Sequence, residues 1–292
     1  MKIGLYLMNK KGLFVLQALV DNGYSNYVGY VVSSKDPGLI DDSYNDILDL
    51  CNNNKINFSD RKNKMLPLVD YKLAIGWRWL ISEYENLIVL HDSILPRYRG
   101  FAPLVNSLIN GEKEIGVTAL WADQDYDQGD IIVQQKEQIN YPIKIQVAIQ
   151  KISKLYTNIV LEIFSKVRSN EKLISKPQEE SEATYSIWRD QDDYKINWTQ
   201  PADYIKRFID AVGYPYQGAQ SEIVGGESII IDDALVLNDL TLELRHPGKI
   251  IRLNDGSPVV ICGRGLIQLN KVRKLDGEEI KLTKLRTRFN IH

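Results

Sequence analysis

Two cysteines, Cys51 and Cys262, are all this sequence contains, and they stand too far apart for a disulfide framework or a zinc-binding spacing. No apolar run approaches the roughly 18 residues that a membrane-spanning helix needs. Neither charge is in excess. The net charge of -2 and a pI near 6.0 argue against a protein built chiefly to hold a polyanion. The amino terminus lacks a signal-peptide pattern, because Lys2 to Asn9 is short and runs into a polar segment, so a cytoplasmic protein is expected. The Gly-x-Gly-x-x-Gly and Walker-type phosphate loops are missing, and so is any repeat of fixed period. Asn197-Trp-Thr199 matches a glycosylation sequon, which without a secretory signal is a coincidence. What is present is ordinary for a globular protein: 44% hydrophobic and 25% charged residues over 292 positions, enough for two domains and a substantial core.

Hydrophobic periodicity divides the chain. Residues 2–8 read as a strand, followed by a helix carrying Leu13, Leu16, Leu19 and Val20. Tyr27 to Ser33 is a second strand, Asp42 to Asn52 a helix, and Lys72 to Leu80 a third strand running through Trp77-Arg78-Trp79. Asn86 to Leu90 is a buried strand, Phe101 to Gly111 a helix, and Val117 to Trp121 and Asp130 to Gln135 two more strands. Strands alternating with helices imply parallel βαβ units. A long helix from about Lys144 to Val167 carries the stripe Ile145, Ala148, Ile152, Leu155, Ile159 and Ile163, which is core. Ser169 to Ala183 is polar, contains Pro177, and reads as a linker. Beyond it come a short helix with Ile205, Phe208, Ile209 and Val212 on one face, and then short strands separated by Gly-containing turns. That spacing predicts a small antiparallel barrel or sandwich.

The chemistry centres on His91 to Gly100. A histidine at the carboxyl end of a strand in an open α/β sheet points at the crevice where ligands bind. Pro96 and Gly100 make the segment after it a shaped loop rather than a helix. Taken alone, the stretch is equally a satisfied strand-end histidine beside a solvated basic loop. His246 precedes a turn proline and His292 is the terminus, so His91 is the one histidine placed to act as a base near neutral pH. The acidic turn Asp123 to Asp130 offers it partners. Asp127 and Asp130 lie just before a strand, whereas Asp123 and Asp125 read as solvated.

The run His91-Asp-Ser-Ile-Leu-Pro-Arg-Tyr-Arg-Gly-Phe-Ala-Pro103, with Ile109-Asn-Gly111, Gly116-Val-Thr118 and Asp127-Gln-Gly-Asp-Ile131, resembles the formyltransferases that use N10-formyltetrahydrofolate. Asp127 comes thirty-six residues after His91, the family's own separation. Tyr194-Lys-Ile-Asn-Trp198 and Ile209 to Ala219 resemble the start of that family's carboxyl-terminal domain. The resemblance implies an α/β fold: a Rossmann-like catalytic domain over residues 1–180 and a smaller, mostly antiparallel, barrel-like β domain over 181–292. Trp77-Arg78-Trp79 and Ser186-Ile-Trp-Arg-Asp190 look like the branch that formylates nucleotide-linked amino sugars, within it the enzymes of dTDP-4-amino-4,6-dideoxyhexoses. It implies folate as cosubstrate, no metal, no nucleic-acid or membrane partner, and a homodimer. The methionyl-tRNA formyltransferases are the alternative.

By this resemblance His91 handles the proton of the attacking amine or donates to the oxyanion, and Asp127 orients its imidazole. The backbone around Leu90 and Asp92 and the edge at Ile132 line a pterin slot. Lys10, Arg78 and Arg99 are candidates for the diphosphate, and Trp77, Trp188 and Tyr214 for stacking on the base or covering the sugar. One position departs from the pattern. The family's oxyanion-holding asparagine falls on Val89, which has no donor to offer. Asn9, at the end of the first strand, is the candidate substitute, with a plain turn residue as the competing reading. An impaired enzyme that only binds folate or a nucleotide sugar is the remaining alternative.

Overall fold

The computed structural model describes residues 1–39, 42–62 and 65–291, which form two compact units. His292 lies outside the described residues. The first unit comprises Met1–Leu104, Glu114–Ile139 and Val147–Ile187, and the second Val105–Lys113, Asn140–Gln146 and Trp188–His292.

The chain begins with β1 (Ile3–Leu7), α1 (Asn9–Asp21), β2 (Val28–Ser33), α2 (Tyr44–Asn53), β3 (Phe58–Asp60), β4 (Tyr71–Ile75) and β5 (Leu87–His91). It continues through β6 (Arg99–Gly100), α3 (Pro103–Asn110), β7 (Glu114–Trp121), β8 (Ile131–Gln138), α4 (Ile145–Arg168) and β9 (Tyr185–Ser186). Seven strands form one sheet in the order β3-β2-β1-β4-β5-β7-β8. From β3 to β5 the pairings are parallel, as the alternation of strands and helices predicts. At β7 and β8 they become antiparallel. The chain returns alongside β5 and then folds back through the acidic turn, so no crossover helix is needed there. Gly129 makes this hairpin feasible: a Cβ at that position would lie 1.9 Å from the Trp121 carbonyl oxygen.

Two expectations need correction here. The third strand stops at Ile75 rather than continuing to Leu80. Gly76 takes φ +62, a left-handed conformation that breaks the strand, and a Cβ there would meet Asn9 Nδ2 at 2.6 Å. Trp77 then packs against both Tyr6 and Trp79 with ring centroids 5.2 Å apart in each case. Ser169 to Ala183 is no linker. Lys176 exchanges two backbone hydrogen bonds with Ile131, and the chain goes on to pair β9 with β6 in parallel. Its polar composition reflects a strap lying on the surface of the first unit, satisfying backbone groups of the loops beneath.

The second unit adds α5 (Ala202–Ala211), β10 (Ala219–Glu222), β11 (Ser228–Leu237), β12 (Ile250–Asn254), β13 (Ser257–Ile261) and β14 (Leu266–Lys274). The strands form an antiparallel sheet in the order β10-β11-β14-β13-β12. Both outer edges are met by the carboxyl-terminal segment. Val224 donates to Arg288 and Asn290 to Glu222 on one side, while Ile250 donates to Thr287 and Phe289 to Gly248 on the other. These bonds give the sheet its barrel-like closure and blunt its edges. Phe289 is fully buried and stacks on Trp198 at 5.0 Å.

Candidate active site

Side chains on β5 alternate between the two faces of the sheet, so Val89 and His91 share one face and Leu90 and Asp92 the other. Tyr156 of α4 donates to the Leu90 carbonyl at 3.0 Å and also to the Asp92 carboxylate. Lys11 of α1 forms a mostly buried ion pair with the same carboxylate. Leu90 itself sits between Ile75 and Ala119 in the ladder. The side chains of the two residues therefore brace the sheet against its helices and point away from His91, so the pterin slot expected here is a matter of their backbone. Leu120 pairs with Ile131 and Ala119 with Val133, which makes Ile132 the extra residue of a bulge and leaves it off the ladder.

His91 is buried. Its Nε2 lies 2.8 Å from the Tyr98 carbonyl, and its Nδ1 lies 3.4 Å from Asp127 Oδ2. A carbonyl only accepts, so Nε2 must carry a hydrogen and donate it. Nδ1 is then the nitrogen facing the carboxylate. Asp127 Oδ2 also accepts the Gly100 N–H at 2.8 Å. Asp127 and Tyr98 both adopt positive φ, +56 and +61, which costs each of order 1–2 kcal/mol and turns the contacting groups toward the imidazole. Opposite His91 in the ladder, Thr118 donates to the Ser93 carbonyl at 2.7 Å and accepts from Leu95 N–H and from Gln134. That buried hydroxyl holds the loop leaving β5.

The expectation that Arg99 meets a diphosphate is also corrected, because its surroundings rule that out. The side chain is fully buried, and all five N–H groups are used. Nε and Nη2 bond Gln178 Oε1 at 3.1 and 3.0 Å, Nη1 and Nη2 bond Glu180 at 2.9 Å each, and Nη1 reaches the Tyr185 hydroxyl at 3.1 Å. The Glu180 carboxylate raises the guanidinium pKa further and is itself held below the usual carboxylate range by it. In the sequence Arg99 looks like part of a solvated basic loop, and only the strap at 176–187 reveals its partner.

The other candidates are dispersed. Asn9 opens α1 with φ +54, and its Oδ1 accepts the Lys11 N–H at 3.0 Å while its amide nitrogen stands over Gly76. Lys10 is half-buried in the first turn of α1. Arg78 is exposed and forms an ion pair with buried Asp36. Trp77 is half-buried, and its Nε1 is a buried donor with no partner among the described residues. Trp188 and Tyr214 are exposed and belong to the second unit, so neither is assembled with His91 by the first unit's own fold. Val89 packs against Leu95, Leu120 and Ile131, an apolar patch on the His91 face. Gln178, Gln134 and the Tyr98 carbonyl are site groups that sequence patterns do not pick out. Among the described residues no group of three or more His, Cys, Asp or Glu is gathered as a metal would require, and no helix is long and apolar enough to cross a membrane.

Comparison with known proteins agrees with this geometry. Residues 58–162 match the family described as formyl transferase, and residues 189–290 its carboxyl-terminal domain. The chain is 30% identical over 244 residues to the methionyl-tRNA formyltransferase of Thermodesulfovibrio yellowstonii, covering 81% of this chain and 76% of that one. It is 26% identical over 231 residues to that of Syntrophomonas wolfei, covering 79% and 72%. Among solved structures, the N-formyltransferase of Helicobacter canadensis, in complex with folinic acid and dTDP-3-aminofucose, superposes with a TM-score of 0.66. That match has 17% identity and covers 96% of this chain and all of the other. With both domains matched in order and the histidine and aspartate of the motif brought together, the chain belongs to the formyl transferase family and is a formyltransferase.

Proposed function

We propose that the protein transfers the formyl group of N10-formyltetrahydrofolate to the amine of a dTDP-linked amino-dideoxyhexose for surface polysaccharide synthesis. The acceptor we favour is dTDP-4-amino-4,6-dideoxyglucose, and we place the enzyme in the cytoplasm as a homodimer. The observation carrying this reading is the His91–Asp127 pair set one strand away from an aromatic wall. Ile75 and Leu90 are register partners, so Gly76 stands level with His91. From Gly76 the chain enters Trp77, Arg78 and Trp79, with Tyr6 behind Trp77 and Arg61 over the Trp79 ring at 4.2 Å. Flat aromatic faces beside cationic groups suit a base and a diphosphate.

In the reaction the neutral amine adds to the formyl carbon, and the carbonyl electron pair moves onto oxygen. The new ammonium nitrogen loses a proton, and collapse of the tetrahedral carbon expels N10 of the folate, which takes a proton. With Nε2–H donated to Tyr98, the lone pair available to the departing proton is that of Nδ1, and the Asp127 carboxylate balances the charge that results. The oxyanion needs a donor that Val89 lacks, and losing such a donor typically costs roughly 2.7–4 kcal/mol. The Asn9 amide fills this role in our reading. Folate fits the apolar patch around Val89, with the backbone of bulged Ile132 free to meet a flat heterocycle.

A specific observation favours the second reading, a methionyl-tRNA formyltransferase. Lys281, Lys284, Arg286 and Arg288 are all exposed, and no ion pair joins them to a carboxylate among the described residues. A row of such cations suits phosphates. Incubation with formyltetrahydrofolate and either Met-tRNA or a panel of dTDP-amino sugars, with mass spectrometry of the products, decides between them. Formylation of Met-tRNA and of no sugar overturns our choice. Binding of a sugar without turnover supports the impaired-enzyme alternative.

A further inference from the structure

We propose that Gln178 is a positioning residue for the His91–Asp127 pair, fixing the spacing between the two loops that hold it. The proposal rests on the reading of that pair as the proton-handling groups. The side-chain amide of Gln178 uses every hydrogen-bonding position it has. Its Nε2 donates to the carbonyls of Asp127 and Gly129 at 2.7 and 2.8 Å, and its Oε1 accepts from Arg99 Nε and Nη2 at 3.1 and 3.0 Å. The orientation of the amide is set by chemistry, since carbonyls require a donor and a guanidinium requires an acceptor.

The residues flanking Arg99 show why this matters. Tyr98, on one side, supplies the carbonyl that receives His91 Nε2–H. Gly100, on the other, supplies the N–H that holds Asp127 Oδ2. Gln178 therefore grips the side chain lying between the two backbone groups that orient the pair, and with its other end grips the backbone of Asp127 itself. One amide closes a circuit from the histidine's loop to the aspartate's loop. Gln178 touches neither His91 nor Asp127 Oδ2, so it acts through them. The strap that carries it is further fixed by Lys176 to Ile131 and by Thr184, whose hydroxyl accepts the Tyr98 N–H at 2.9 Å.

Gln178→Glu is the discriminating substitution. It keeps an acceptor for Arg99 but replaces the donors facing two carbonyls with a carboxylate oxygen. Gln178→Leu serves as the stronger variant, with the loss of Arg99's partner read separately by thermal melting. The expected result for Gln178→Glu is a kcat reduced by about 10- to 100-fold, the scale of misplacing a catalytic group by about an ångström. KM for formyltetrahydrofolate and for the amine selected by the acceptor panel stays within about twofold. In the Asp127→Asn background the same substitution should cost almost nothing, because the group it positions is already disabled. A readout independent of any acceptor is the ring nitrogen spectrum of His91: Gln178→Glu should move its signals and leave those of His246 in place. Unchanged kcat, additive losses in the double variant, or unmoved His91 signals would each overturn the proposal. If His91→Asn and Asp127→Asn keep full turnover, it is the reading of the pair that fails. If they abolish turnover and Gln178→Glu does not slow it, only the role of Gln178 fails.

Discussion

At the scale of single residues, the site separates groups that do chemistry from groups that hold them. His91→Asn and Asp127→Asn should each lower kcat by about 10²- to 10⁴-fold, the range for a general base, with acceptor affinity near normal by calorimetry. Full activity in both variants would discard the mechanism. Asn9 needs a subtler substitution, because its side chain also accepts the Lys11 N–H in the first turn of α1 and its backbone has positive φ. Alanine would lose that bond and the donor together. Asn9→Asp keeps an acceptor for Lys11 and tolerates that backbone, while removing the N–H donors. We expect an unchanged melting temperature and a kcat loss of about 10²- to 10³-fold; unaltered turnover would remove Asn9 from the oxyanion role. The same distinction explains how much of the site is legible in the sequence. His91 and Asp127 stand in a spaced motif, which is visible in a linear chain. That Arg99 is wholly buried and that Gln178 spans two loops depends on which segments fold together, and nothing in their immediate neighbours encodes it.

At the scale of elements, periodicity locates most helices and strands of the first unit but misjudges the segments whose roles are set by partners. Trp77 to Leu80 is apolar enough to extend β4, yet the left-handed turn at Gly76 sends Trp77 onto Tyr6 and Trp79 onto Trp77 instead. Ser169 to Ala183 is polar enough for a linker, yet the strap's backbone pairs with Ile131 at the start of β8 and with Pro96, Arg99 and Phe101 in the segment after His91. The strap makes a measurable prediction through Arg99. Lysine keeps the charge but has no planar fork, so it cannot serve Gln178, Glu180 and Tyr185 at once. Arg99→Lys should cost about 2–4 kcal/mol of stability by urea unfolding, in keeping with the loss of several hydrogen bonds at a fully buried site. Limited proteolysis should then cut first between Lys176 and Ser186. A variant as stable and as resistant as the parent would mean that the strap is held by its backbone pairing alone.

At the scale of the whole molecule, each unit has its own core and its own buried thiol. Cys51, on α2, and Cys262, after β13, are both fully buried, and burial pushes each thiol up to about 12. Because the thiolate is the reactive form, two factors protect these groups at pH 8: almost no thiolate is present, and no reagent can reach the sulfur. Neither thiol should react with a maleimide in the native protein over hours, and both should react at once in denaturant. Pulsed labelling across a urea series, with peptide mapping, then tracks each unit separately through its own cysteine. The Arg99→Lys substitution should bring Cys51 labelling to lower urea, because the loops it ties belong to the same unit as α2. The Cys262 profile reads the barrel-like sheet and its Trp198–Phe289 stack instead. Rapid labelling of Cys51 without denaturant would show that α2 opens locally from the sheet, in which case its labelling would track that opening rather than the unfolding of the unit.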